Sequence, residues 1–376
     1  MEPLQDTANL PSLPAPFWFI EFFKVLGFSL HVIPMNLWYA GIPLALSLAA
    51  YGNAHGRRFA ARLMLQMPVI VALGINFGIV PLLFLQLAYG RAFYPATILM
   101  AWFWLAVVVL LVPAYYGVYL YSFGLREGGA AMTPLKRAAG WLSALFFVWI
   151  GFTFANGLSL TTRVERWRAI WLEHNLDGAA TGWGLNLADS SLWPRWLLMF
   201  GLALVTTAAW MVVDALWLAS QESREYNRWA QDFALRLGLV GAAWSAAAGT
   251  WYVFGTWPSE VFRSMFWSPW VILTLLTAAS PWAVAGLLWL WRRGEVSRGR
   301  AAAIGLAQVG TLAVNAVSRQ VVQNLELKPF VDALPEPAVQ WGPMAMFLLA
   351  FIAGAAAVAW ILIQILSVKT SPEAGP

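Results

Sequence analysis

The stretch "GFSLHVIPMNLWYAG", residues 27–41, decides the fold. It carries one histidine, His31, and no acid, lysine or arginine, and lies inside an apolar run covering about residues 25–50. A helix rising about 1.5 Å per residue needs ~20 such residues to cross a ~30 Å hydrocarbon layer. The run therefore predicts a membrane span. An imidazole placed there is costly, and three roles would justify it: ligand to a haem iron, carrier of protons, or packed polar side chain.

Outward from this run, eight further apolar segments cover about 67–89, 95–122, 139–159, 195–219, 234–255, 269–291, 301–322 and 342–367. No internal repeat links them. They predict an all-α, polytopic membrane protein of nine transmembrane helices, with residues 1–376 forming a single domain. Composition agrees. The chain is 60% hydrophobic and 11% charged, against about 25% charged in soluble proteins. Its 24 tryptophans and 23 phenylalanines suit interfacial belts and packing around flat cofactors. Cysteine is absent, which excludes disulfides, iron–sulfur clusters, thiolate metal sites and covalently attached haem. Three histidines leave no room for a polyhistidine metal centre. The net charge of +5 follows from basic loops and calls for no nucleic-acid partner; the bilayer is the partner that composition demands.

Sidedness is predicted from lysine and arginine in the loops. Arg57, Arg58, Arg62, Arg126, Lys136, Arg137, Arg224, Arg228, Arg236, Arg292, Arg293, Arg298, Arg300 and Lys369 fall on one side of a nine-span arrangement. That is 14 of the 23 basic residues, so this side is expected to be cytoplasmic. Residues 1–17, Pro-rich and without a basic region before the first span, are then an extracytoplasmic tail rather than a signal peptide. Residues 160–195 become an extracytoplasmic loop and 368–376 a cytoplasmic tail. His31 falls in the outer half of the first span, while His55 and His174 lie in loops.

Polar residues within spans are functional hypotheses by default. Besides His31 they are Asn36, Asn76, Gln86, Asn156, Asp214, Gln308, Asn315, Arg319, Gln320 and Gln364. Asparagine and glutamine serve equally well as glue between helices. With Asp214 the one acid read inside a span, a carboxylate relay for protons is poorly supported.

Five motifs, in order along the chain, give it a likeness. His31 is followed by Pro34 and Gly41; "GINF" occupies 74–77; "FTFANG" occupies 152–157; "FRSM" runs from Phe262 to Met265; and "AVSRQ" spans 316–320. In these the chain resembles subunit I of the cytochrome bd-type quinol oxidases, a nine-span family with its N-terminus outside. The resemblance implies a bacterial cytoplasmic (inner) membrane. It implies His31 as an iron ligand and Met265 as an axial ligand, with Arg263 in the same motif. It also draws Asn76, Arg319 and Gln320 into cofactor binding, Arg319 pairing with a haem propionate.

The chain departs from that family where the chemistry is done. Leu198 stands in place of a second histidine ligand, Ala316 in place of a ligating glutamate, and Trp104 and Val112 in place of two acids. The outer loop that oxidises quinol shrinks to about "GTWPSEV". The expectation is therefore a subunit of a respiratory or electron-transfer complex that carries at most one b-type haem, through His31, and is no quinol oxidase by itself. It would work with other membrane subunits and a redox partner such as a cytochrome c or a second bd-like subunit. The alternative is a haem-free structural or quinone-interacting anchor; a transporter is a third class.

Overall fold

The computed structural model describes residues 13–126, 132–218, 222–292, 297–329 and 338–368, with side chains to 360. The expected 368–376 tail lies almost wholly outside these residues, as do most of the 1–17 tail, Arg293, Lys369 and the Gln364 side chain. The fold is all-α. Its helices are α1 (Phe17–Tyr51), α2 (Ala54–Leu99), α3 (Ala101–Arg126), α4 (Pro134–Thr162), α5 (Trp167–Glu173), α6 (Leu192–Leu218), α7 (Arg224–Thr256), α8 (Ser259–Phe266), α9 (Trp270–Trp291), α10 (Arg298–Glu326) and α11 (Trp341–Val368). All but α5 and α8 are long and apolar enough to cross a membrane, giving nine candidate spans among the described residues. Because successive spans alternate in direction, the bundle has a Phe17 end, where α1 begins, and a Tyr51 end.

Four helices that start at the Tyr51 end are opened by short polar side chains. Asn53 accepts from the Gly56 N–H, Thr133 from Lys136, Ser223 from Tyr226 and Ser297 from Arg300. Each satisfies an N–H that the helix start would leave unpaired.

Several boundaries differ from the sequence reading: α2 starts at Ala54 rather than near 67 and α7 at Arg224 rather than near 234, and two differences bear on the site. α1 starts at Phe17 rather than near residue 25, so Glu21 and Lys24 lie within the helix. α2 continues through 46 residues to Leu99, a length of about 69 Å at 1.5 Å per residue. Tyr89 (φ −129°, ψ 30°) is a kink inside it rather than a loop. The segment between α4 and α6 is built: α5 is followed by an antiparallel hairpin, Asn175–Leu176 with Ala179–Ala180.

α1 is the central helix. In its most apolar window 67% of residues are buried, against 17% in α3, which faces the bilayer. α1 packs chiefly on α2, α10 and α6, and α6 pairs closely with α7. Small residues permit that last crossing: a Cβ on Gly241 would lie 2.8 Å from the Gly201 carbonyl. Such close backbone approach is what membrane helices use where lipid supplies no hydrophobic drive. A π-helical turn at Leu37–Gly41, just after Pro34, interrupts α1 and is wholly buried among α2, α4 and α6. Turns of this kind often mark functional sites.

Candidate functional site

His31 lies on the face of α1 that packs against α2. Its Nδ1 is 2.8 Å from the Gly74 carbonyl oxygen. A carbonyl can only accept, so Nδ1 carries the proton and Nε2 keeps its lone pair. This is the arrangement of a metal-ligating histidine, whose second nitrogen is held by an outer partner. Glycine on α2 makes the fit possible: a Cβ on Gly78 would stand 2.8 Å from His31 Cε1. The Trp38 ring meets His31 edge-on at 5.9 Å, and its indole packs over Gly74. The "GINF" glycine therefore acts through the space and the carbonyl it provides.

Arg319 on α10 reaches toward the same region and exerts an electrostatic effect on His31. Its guanidinium sits 4.6 Å over the Phe28 ring. Among the described residues no hydrogen bond or ion pair engages it. Both His31 and Arg319 are surrounded by protein on nearly every side and yet keep accessible surface. Together they line a recess inside the bundle.

Next to Arg319 begins a polar cluster that the sequence reading missed. Gln320 Oε1 accepts from Lys24 Nζ at 2.7 Å, and Gln320 Nε2 lies 2.9 Å from Glu21 Oε1 and 2.7 Å from the Tyr89 hydroxyl. Lys24 also donates to Gln323, and its ammonium lies 4.6 Å over the Tyr89 ring. Asn324 donates to Glu21 at 2.5 Å. The cluster joins α1, α2 and α10. A signal existed: Glu21 and Lys24 are flanked by phenylalanines in "FWFIEFFK", an apolar setting for two charges. Glu21 is thus a second acid inside a span, beside Asp214.

Beyond this cluster, at the Phe17 end, Glu326 takes Arg195 at 2.7 Å and Arg163 at 3.3 Å. Arg163 also approaches Asp189, at 3.5 Å. Asp189 accepts from Ser159 Oγ at 2.7 Å, and from the Ser191 N–H and hydroxyl at 3.0 and 2.8 Å. Burial acts to raise the Asp189 carboxyl, but the Ser159 and Ser191 hydrogen bonds and the Arg163 charge outweigh it and hold it below the usual carboxylate range. Asn156 of "FTFANG" has a structural task here, accepting from the Asn186 N–H at 2.7 Å and pinning the segment before α6.

The remaining sequence-chosen residues lie elsewhere. Met265 is fully buried in a small apolar cluster with Val261 and Val322, packed by Trp257, Phe266 and Leu325. Arg263, two residues away, is exposed. Asn76 is exposed on the other face of α2 from Gly74 and Gly78, and its amide donates to its own helix at Ala72, 2.8 Å away. The recess brings together His31 and Arg319, with Gln320 beside it; Asn76, Arg263 and Met265 are not part of it. Where the resemblance would place acids, Trp104 packs between Phe93 and Phe154 at 5.5 and 5.2 Å, and Val112 is 53% exposed on the membrane face. Ala316 is buried.

The residues present suit one b-type haem on one side of its iron. They offer a neutral imidazole with a free nitrogen, an unpartnered cation of the kind propionates take, and a wall that any Cβ at Gly78 would push inward. No protein-family model matches the chain, and no curated protein matches it.

Proposed function

We propose that the chain is a cytochrome bd subunit I-like membrane subunit of a respiratory or electron-transfer complex, and that it holds a single b-type haem through His31. The observation that carries this reading is the His31 ring, with Nδ1 tied to Gly74 and Nε2 unengaged, within electrostatic reach of Arg319, which forms no ion pair among the described residues. Bound there, a haem iron would supply one-electron transfer. Gly74 orients the imidazole, Arg319 and Gln320 are placed for a propionate, and Phe28 and Trp38 supply apolar wall. With Leu198, Ala316, Trp104 and Val112 at the positions where ligands and acids are needed, oxygen reduction falls to other subunits. We place the protein in a bacterial cytoplasmic membrane, the Phe17 end outside, because 14 of its 23 basic residues belong, by sequence, to the segments between or after spans on the Tyr51 side.

A second reading is favoured by Met265. Its sulfur is sealed in an apolar cluster, the ordinary fate of a core methionine, which fits a haem-free or quinone-interacting anchor in such a complex. Haem per protein, measured by pyridine haemochromogen on wild type and His31→Ala purified alike, separates the two. Haem in the wild type and little in the variant supports the ligand assignment. Equal haem in both removes His31 as ligand, and none in either favours the anchor.

A further inference from the structure

α10 carries a polar seam. Gln308, Thr311, Asn315 and Arg319 succeed one another at spacings of three and four residues, so they share one face of the helix. This face turns inward: Gln308 and Thr311 are buried, whereas Val309 and Val317 on other faces are 44% and 39% exposed. At the inner limit of the seam, Gln308 Nε2 on α10 and Asn36 Nδ2 on α1 both donate to Thr206 Oγ1 on α6, each at 2.8 Å. Thr206 gives its own proton to the Leu202 carbonyl, also at 2.8 Å. The hydroxyl is thereby saturated, and the Asn36 Oδ1 and Gln308 Oε1 acceptors are left buried without a donor.

Toward the Phe17 end, Asn315 and Arg319 are half-buried, and among the described residues neither side chain has a hydrogen-bond partner. A guanidinium offers five N–H donors. Each polar group left unpaired at membrane depth costs several kcal/mol. Two orphan carbonyls at one end and an orphan amide and guanidinium along the way are affordable together only if water reaches all of them, since water alone both donates and accepts and fits such spaces.

We propose that the seam between α1, α6 and α10 is a hydrated half-channel, closed at Thr206 and open toward the Phe17 end, which admits water as far as Thr206 and small anions to the depth of Asn315. The anion preference follows from Arg319, which forms no ion pair among the described residues; Glu326 acts on it only at longer range and is opposed there by Arg195, while Lys24 beside it donates to the neutral amides of Gln320 and Gln323. The half-channel goes beyond the haem assignment and does not require it.

The native chain has no cysteine, so single thiols report access cleanly. Asn315→Cys and the near-isosteric Ser318→Cys, reconstituted in nanodiscs, are treated with sulfonatoethyl or trimethylammonioethyl methanethiosulfonate, with Val317→Cys as the lipid-facing reference. The expected result is modification at least tenfold faster at 315 and 318 than at 317, with the anionic reagent outpacing the cationic one at 315. Arg319→Gln in the Asn315→Cys background should abolish that preference. The half-channel is overturned if both seam thiols react as slowly as Val317→Cys while the exposed Glu173→Cys labels readily. Its anion selectivity is overturned if the preference persists without Arg319. Labelling is compared on haem-free samples, where no propionate would occupy Arg319, and haem content read separately keeps this test distinct from the His31 assignment.

Discussion

Two buried charges, one in each half of the bundle, are treated differently. At the Tyr51 end, Asp214 is 1% exposed and every contact around it closes. Arg62 forks onto it at 2.9 and 3.0 Å, Gln66 donates to it at 2.7 Å, and Trp210 donates to Gln66 at 3.2 Å. In the Phe17 half, Arg319 has an aromatic ring beneath it and, among the described residues, no hydrogen-bond acceptor. A saturated buried ion pair is sufficiently explained by holding helices together, here α2 to α6. An unsaturated one is not, because the protein has borne its desolvation without return. The difference fits a structural role for Asp214 and is consistent with the functional role proposed for Arg319.

The sharpest way to break this comparison is to neutralise each arginine in turn. Arg62→Gln leaves the Asp214 carboxylate buried without a countercharge and is expected to cost about 3–5 kcal/mol. Arg319→Gln removes a buried charge that forms no ion pair among the described residues, so it should cost under ~1 kcal/mol or stabilise the fold. Thermal unfolding in one detergent measures both. Equal losses would mean that Arg319 has a structural partner after all, and the contrast would fall.

Lys24→Met comes next. The ammonium is 8% exposed and is the donor to the Gln320 and Gln323 oxygens. Methionine of similar length strands those acceptors, at about 1–3 kcal/mol for each one left dry. If the seam beside them holds water, the loss should lie at the low end of that range, since water can replace the amine. A loss near the sum of both penalties would argue for a dry cluster.

Gly78→Ala probes the recess from α2. Its Cβ would press on the His31 ring, 2.8 Å from Cε1 and 2.9 Å from Nδ1, and overpacking of this kind costs about 1–3 kcal/mol. The ring can yield only by leaving Gly74, so haem per protein should fall along with stability. Normal haem content in a stably folded Gly78→Ala would detach the Gly74 bond from ligand positioning.

Much of this architecture is legible in the sequence, for identifiable reasons. Nine spans can be read because each holds a long apolar run, but the starts capped by Asn53, Thr133, Ser223 and Ser297 lie before those runs, in polar sequence, and are not located by apolarity. The recess is half legible. His31 stands out as a lone imidazole in apolar surroundings, and Arg319 as a charge near a span's end. Whether that arginine snorkels to the surface or turns inward depends on the rotation of α10, which spacing alone reveals only once Gln308, Thr311 and Asn315 are placed on the same face. Glu21 and Lys24 escape notice because charges are normally taken as the limits of a span; here α1 begins eight residues earlier and their partners on α2 and α10 are distant in sequence. Asn76 fails in the opposite sense. Its place in "GINF" marks it, but helical geometry sets Gly74 and Gly78 toward His31 and turns Asn76 away.

The smallest expected effect lies outside the membrane spans, at Asp189. In the folded chain its carboxylate receives hydrogen bonds from Ser159 and Ser191 and the charge of Arg163, which together overcome burial and lower its pKa. The unfolded chain has none of these, and its aspartate titrates near the ordinary value of about 4. Below that pH the unfolded state takes up a proton that the folded state still refuses, so stability falls as pH drops toward the folded pKa. The contribution is fully present at neutral pH and lost only in acid. Asp189→Asn should therefore lower the unfolding temperature at pH 7 and leave a smaller further fall between about pH 4.5 and pH 3 than wild type shows. The informative quantity is the difference between the two curves, because every other carboxylate cancels in it. A constant difference across that window would mean that Asp189 titrates alike in both states and that the Ser159–Asp189–Ser191 bonds hold the segment before α6 without discriminating charge.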